Sequence, residues 1–89
     1  MQNYKFLVSG RVQGVYYRAN VAKNAKLAGF SGYVKNLDDG RVEACVTCEE
    51  ERLELFKDIL KKGSPVSNVT SIEESVCNEA FSAGFEVRK

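Results

Sequence analysis

Gly-Arg-Val-Gln-Gly-Val-Tyr-Tyr-Arg, residues 10–18, is the stretch around which the chain is organised. It joins an alternating apolar run to a segment with helical spacing, so we predict a loop between a strand and a helix. A loop with two glycines can turn several backbone N–H groups toward one point, and the following helix adds partial positive charge there. Arg18 adds a full charge on a planar fork of donors. The stretch therefore predicts a site for a phosphate or a carboxylate.

The segments on either side of this loop have clear periodicities. Residues 4–8 alternate as a strand, with Tyr4, Phe6 and Val8 on one face. After the loop, residues 19–28 predict a helix whose buried stripe consists of small side chains. Such a helix can lie close to the sheet that it covers.

The rest of the chain continues the same alternation of strands and helices. The acidic start and basic end of the second helix, and the Asp39-Gly40 turn between two strands, support this interpretation. We predict strands over residues 30–37, 41–47, 66–77 and 85–88, and a helix over residues 49–62. The order β-α-β-β-α-β, with a short extra strand, predicts an α+β fold of the ferredoxin-like kind, with a four-stranded antiparallel sheet and two helices on one face. The length of 89 residues predicts one domain over residues 1–89.

The composition argues against several classes of function. The net charge is +1, with 13 basic and 12 acidic residues, whereas a nucleic-acid-binding domain usually carries a basic excess. No apolar run is long enough to span a membrane, and the N-terminus lacks an apolar signal core, so we expect a cytoplasmic protein. The number of cysteines is odd, which predicts free thiols at Cys45, Cys48 and Cys77. Cys45 and Cys48 should point to opposite faces of a strand, and with no histidine in the chain we expect no metal site and no cofactor.

The residues of this chain are compatible with few catalytic mechanisms. The chain has no histidine base, no cysteine with an arginine six positions later, and no Gly-Lys-Ser/Thr ending on its glycine loop. No serine or threonine has a candidate base beside it in the sequence. An enzyme built from these residues must work by positioning and electrostatics. Attention therefore falls on Arg18, since a cation at a helix N-terminus is unfavourable unless an anion joins it.

Three segments resemble the acylphosphatase family. Residues 8–18, from Val-Ser-Gly-Arg-Val to Tyr-Tyr-Arg, resemble its first signature. Gly-Tyr-Val-Lys-Asn at 32–36 with Gly-Arg-Val-Glu at 40–43 resembles the second signature, and residues 62–69 resemble the pattern after the second helix. Two spaced signatures in register make the match specific, and it covers essentially the whole chain. The resemblance implies the ferredoxin-like fold and hydrolysis of the carboxyl–phosphate bond of small-molecule acyl phosphates. The sequence does not indicate the oligomeric state, and a monomer is the default expectation.

The resemblance also implies roles for particular residues. Arg18 matches the family's phosphate-binding arginine, and Asn36 matches the asparagine that holds the attacking water. An asparagine carries both a donor and an acceptor, so it can orient a water without acting as a base. The backbone amides that match the phosphate cradle are those of Val12, Gln13, Gly14, Val15 and Tyr16.

Three positions depart from the family pattern. Tyr17 stands where phenylalanine or methionine is usual, and its hydroxyl needs a partner or a path to solvent. Cys48 replaces a glycine at the end of the second signature, and Lys89 replaces a C-terminal aromatic residue. These two changes affect the expected geometry of the strand end and the packing of the C-terminus.

Other functions on the same fold remain alternatives. The main one is a non-catalytic module that binds a small anion or regulates another protein. An RNA-recognition domain would need exposed aromatic side chains on its central strands, and residues 41–47 have none. A domain acting on carbamoyl phosphate within a maturation factor would occur in a much longer chain. The sequence leaves the physiological acyl phosphate open.

Overall fold

A five-stranded sheet covered by two helices forms the fold of residues 1–88, which the computed structural model describes. Lys89, and with it the expectation about C-terminal packing, lies outside the described residues. The strands are β1 (Gln2–Arg11), β2 (Ser31–Asn36), β3 (Val42–Cys48), β4 (Asn68–Val76) and β5 (Phe85–Arg88). The helices are α1 (Tyr17–Leu27) and α2 (Leu53–Lys62), the latter preceded by a 3₁₀ turn at Glu50–Arg52.

The sheet topology confirms the ferredoxin-like α+β prediction. The strand order is β4-β1-β3-β2-β5, and the first four of these strands pair antiparallel. The short extra strand β5 runs parallel to the edge strand β2 and extends the sheet on that side. The sheet is therefore mixed, and its four-stranded antiparallel part is the predicted one.

Both helices cover the same face of the sheet. Every second residue of β1, namely Tyr4, Phe6 and Val8, is buried in one cluster with the buried residues of α1 and α2. Phe56 of α2 lies among the rings of this cluster, with its centroid 5.6 Å from that of Phe6. Because the alternate strand residues and both helices share one core, the helices hold the loop between β1 and α1 at one end of the sheet.

Helix α1 begins two residues earlier than the periodicity indicated. Tyr16 has a left-handed backbone, with φ 62° and ψ 20°, and this conformation turns the chain so that Tyr17 and Arg18 form the first helical turn. The segment predicted as one helix over 49–62 is divided into the 3₁₀ turn and α2, since the tighter 3₁₀ geometry is common at helix ends.

Strand β4 departs from simple alternation. Its register against β1 shifts between Ser9 and Gly10, so that Val69 and Ile72, three residues apart, both pack on the core. Gly10 lies at this irregularity with φ 127°, and a Cβ atom there would lie 2.1 Å from the carbonyl oxygen of Asn68. Glycine is therefore required where β1 leads into the loop.

The uncovered face of the sheet carries a second, smaller cluster. Cys45 packs there with Tyr33 and Cys77, whereas Cys48 belongs to the main core, so the two thiols of the Cys-x-x-Cys motif point to opposite faces as predicted. All three cysteines are free and buried, and burial raises the pKa of the Cys45 thiol to about 12. Cys48 is the last residue of β3 and pairs with Gln2 of β1. Its side chain is buried in the main core, so a cysteine is accommodated at this strand end.

The described part of the chain contains no group of three or more His, Cys, Asp or Glu side chains placed to hold a metal ion. None of its helices has the length and hydropathy needed to cross a membrane.

Replacing Gly10 by alanine should destabilise the protein by about 3 kcal/mol, because the new Cβ combines a disfavoured φ with a clash against the backbone of β4. Gly40→Ala is the matched control, since Gly40 also has a positive φ, of 95°, but no atom lies within 4 Å of its added Cβ. We expect this control to cost only about 1 kcal/mol. Urea denaturation measures both, and equal losses would show that the close approach to β4 does not limit position 10.

Candidate active site

An open cleft of ≈ 390 Å³ lies at the end of the sheet where the β1–α1 loop meets β2 and β5. It brings together Arg18 and Asn36, which are far apart in the sequence. Its full lining consists of Val12, Gly14, Tyr16, Tyr17, Arg18, Ala19, Asn36 and Val87. Gln13 and Val15, the other two residues predicted for the site, do not line the cleft.

The loop backbone supplies unpaired donors. Among residues 1–88, no backbone or side-chain acceptor takes a hydrogen bond from the N–H groups of residues 12–16. The first turn of α1 has neither a side-chain cap nor an acidic residue. Unpaired N–H groups in a loop that leads into a helix N-terminus provide the local positive potential that binds anions.

Tyr16 holds the last turn of this loop in a strained conformation. It is the one non-glycine residue with a positive φ among those described. A left-handed conformation costs a non-glycine residue about 1–2 kcal/mol. The backbone N–H of Asn20 and its side-chain Nδ2 both donate to the Tyr16 carbonyl, at 3.1 and 2.9 Å, and these two bonds fix the turn. The entry into α1 is therefore held rigidly.

Arg18 is oriented by the last strand. Its Nη1 donates to the backbone carbonyl of Arg88 at 2.9 Å, and within residues 1–88 its remaining guanidinium donors have no hydrogen-bond partner. Arg88 is itself anchored: its guanidinium lies 4.0 Å from the centre of the Tyr33 ring and pairs with Glu79 and Glu86 at 3.0 and 2.7 Å. This contact could not be predicted from the sequence, because a backbone carbonyl has no sequence signature.

Asn36 ends β2 with an unsatisfied group. Its Oδ1 is buried and has no hydrogen-bond partner among the described residues. No other side-chain nitrogen or oxygen of these residues is both buried and without a partner. A buried polar atom without a partner carries a free-energy cost of about 1–3 kcal/mol. Asn36 lines the cleft, and its amide carries an acceptor that has no protein partner among the described residues and is covered from solvent in this side-chain position.

The Gln13 side chain, for which no role was predicted, bonds to the backbone of the β2–β3 turn. Its Nε2 donates to the carbonyls of Leu37 and Arg41, at 2.8 and 3.0 Å, which lie on both sides of the β2–β3 turn. Gln13 thus fastens the loop that carries the unpaired N–H groups to the hairpin that carries Asn36. Its backbone N–H remains part of the predicted cradle.

The side of the loop away from the cleft is tied to the segment around the end of α2. Ser64 donates its hydroxyl to the Val15 carbonyl, so Val15 is packed inward. The Tyr17 hydroxyl donates to the carbonyl of Leu60 at 2.7 Å, and burial raises the pKa of this phenol. Tyr17 therefore has the partner that its departure from the family pattern required.

Comparisons with known proteins agree on one family. A family model for acylphosphatase matches residues 4–87. An acylphosphatase of Methanocella arvoryzae is 41% identical over 88 residues, which is 99% of this chain and 100% of the relative. One from Thermus thermophilus is 48% identical over 81 residues, 91% of this chain and 92% of the relative. The crystal structure of acylphosphatase from Bacillus subtilis matches with a TM-score of 0.89 and 38% identity, covering 100% of both chains.

Replacing Gln13 by alanine should lower kcat about tenfold, because the loop and the hairpin then lose their fixed spacing. Inhibition by inorganic phosphate should change less than twofold, since the loop N–H groups and Arg18 remain. Gln13→Glu should be more severe, as it places a carboxylate against two carbonyl oxygens. Steady-state kinetics with acetyl phosphate measures these effects, and equal losses in kcat and phosphate affinity would contradict an alignment role.

Proposed function

The chain belongs to the acylphosphatase family, and from this we propose that Arg18 and the loop N–H groups of residues 12–16 bind the phosphoryl group while Asn36 holds the attacking water. The activity of the family is hydrolysis of acyl phosphates, small molecules with a carboxyl–phosphate bond. The products are a carboxylate and inorganic phosphate. The assignment of residues to steps is our proposal.

Arg18 is suited to the phosphoryl group by its position and its donors. Its charge adds to the positive end of α1, where a cation without an anion is unfavourable. One guanidinium nitrogen is occupied by the Arg88 carbonyl, which fixes the plane of the fork. A phosphoryl group in transfer spreads its charge over three equatorial oxygens, and the remaining Arg18 donors and the loop N–H groups suit those oxygens.

The unpartnered Oδ1 of Asn36 is the observation that carries the water-holding role. Since this oxygen is covered from solvent, the amide must turn toward the cleft before a water can donate a hydrogen to it. That water then has its lone pair directed away from Asn36. The amide lines the same cleft as Arg18, so the lone pair can face a phosphorus atom bound there. An amide cannot take a proton from the water, and so its contribution is orientation.

The reaction balances without a general base. Water adds to phosphorus, the bond from phosphorus to the carboxyl oxygen breaks, and the leaving group departs as a carboxylate. The two protons of the water end on the phosphate, giving the dihydrogen form before it equilibrates with solvent. A carboxylate is a stable anion, so it leaves without protonation. Positioning and charge stabilisation are then sufficient.

We further propose that residues 1–89 act as one domain, as a cytoplasmic monomer without a cofactor. The proposal of one domain is supported by the single main core that both helices share. Light scattering during gel filtration should give a mass near 9.9 kDa for the chain. A mass of twice this value, independent of concentration, would refute the monomer.

Substituting Arg18 by alanine should lower kcat/KM for benzoyl phosphate about a thousandfold and abolish inhibition by inorganic phosphate, because the main cation of the cleft is lost. Lys23→Ala is the matched control, since it removes a cation from an exposed position of the same helix that does not line the cleft. The control should keep kcat/KM within about twofold. Similar losses in both variants would mean that the general charge of α1, and not the Arg18 fork, binds the substrate.

Replacing Asn36 by alanine should lower kcat about a hundredfold while the inhibition constant of phosphate stays within twofold, because the water is no longer oriented. Loss of ultraviolet absorbance by benzoyl phosphate measures turnover, with a phosphomonoester as the negative control. Full activity in the variant would overturn the water-holding role.

Treatment of the native protein with EDTA should leave its rate unchanged, and loss of activity would refute a mechanism without metal.

A further inference from the structure

The rim of the cleft is apolar on two sides. Tyr16 and Val87 are exposed large apolar side chains, at 79% and 46% of full exposure, and both line the cleft that holds Arg18 and Asn36. They come from different elements, the β1–α1 loop and strand β5. The other exposed large apolar side chains of the described residues lie away from this cleft.

The identity of residue 16 is not explained by the fold. A left-handed backbone favours glycine or asparagine, yet a tyrosine occupies this position. The ring does not belong to the core, and the hydroxyl has no hydrogen-bond partner in the described part of the chain. The contacts that fix the turn are made by the carbonyl of Tyr16 with Asn20, and any residue would offer them. The position therefore bears an exposed aromatic ring at a conformational cost, next to the proposed catalytic groups.

The proposed direction of binding places the acyl group at this rim. The groups that suit the phosphoryl group are the half-buried Arg18 and the loop N–H groups, whereas the ring of Tyr16 is exposed. The rest of an acyl phosphate must extend from the phosphoryl group toward the open side. An aliphatic or aromatic acyl group extending there meets the ring of Tyr16 and the side chain of Val87.

We propose that Tyr16, assisted by Val87, is a specificity-determining residue that binds the acyl group and favours acyl phosphates with an apolar, above all aromatic, acyl group. The proposal rests on the proposed function, since it requires the phosphoryl group to lie at Arg18. Aromatic contact with the ring and burial of apolar area strengthen binding of a benzoyl group and leave an acetyl group nearly unaffected.

Tyr16→Asn is the variant that tests the proposal, because asparagine tolerates the left-handed conformation and removes the ring. We expect the ratio of kcat/KM for benzoyl phosphate to kcat/KM for acetyl phosphate to fall about fivefold to tenfold, mainly through KM for benzoyl phosphate. Because the N–H of residue 16 belongs to the proposed phosphate cradle, a loss of equal size with both substrates and with inorganic phosphate would be an effect on the loop and would contradict the acyl-binding role. Tyr16→Phe is the matched control and should keep the benzoyl preference, whereas Val87→Ser should reduce it in part.

A second measurement separates the ring's role from that of the hydrolytic site. Benzoylphosphonate and acetylphosphonate resemble the two substrates but lack the scissile oxygen, so calorimetric titration reports binding without turnover. A preference for the benzoyl compound that Tyr16→Asn removes supports the acyl-binding role, even if the native protein proved unable to hydrolyse either substrate. No preference in the native protein, or an equal loss with both compounds, would overturn it. Urea denaturation should find Tyr16→Asn at least as stable as the native protein, which separates loss of contact from loss of folding.

Discussion

The concentration of positive potential at the start of α1 is the constraint on which the rest of the structure depends. Unpaired N–H groups of residues 12–16, the dipole of α1 and the guanidinium of Arg18 all meet there, and the first helical turn has no acidic residue to offset them. Together they favour a bound dianion, and without one their positive charges repel one another. The surrounding elements must therefore hold this end of the molecule in place, since the local electrostatics alone would not.

The holding contacts come from every side of the loop. The core anchors its base through Val12 and Val15, Asn20 fixes the turn at Tyr16, and Gln13 fastens it to the β2–β3 hairpin. The short strand β5 adds the carbonyl that orients Arg18, and the side chain of Arg88 secures that strand against Tyr33. In a domain of 89 residues the same contacts serve both packing and the site. A change in packing can therefore reach the proposed chemistry through one or two side chains.

The parts of the structure that follow from local chemistry could be predicted from the sequence. Alternation in β1, the buried stripe of α2 and the Asp-Gly turn give the element order, and the two signatures indicate Arg18 and Asn36, which the fold places in one cleft. The missed features depend on tertiary contacts. The left-handed Tyr16 opposes the preference of its residue type, and the register shift in β4 arises where Gly10 meets Asn68. The Arg88 carbonyl and the inward-turned Gln13 side chain depend on which segments become neighbours.

The side chains that line the cleft restrict which phosphate compounds the cleft can hydrolyse. Within the described residues the lining has one cation and one amide, with two tyrosines and four small or apolar residues, and it has no carboxyl or imidazole group. Of the two phenols, that of Tyr17 is directed to Leu60, away from use as an acid. A phosphomonoester releases a strongly basic alkoxide, which needs a proton in the transition state, whereas an acyl phosphate releases a carboxylate. A site that binds the phosphoryl group and orients water without supplying a proton, as we propose for this one, would select acyl phosphates by the stability of the leaving group. The proposed contacts of the apolar rim would then distinguish one acyl group from another.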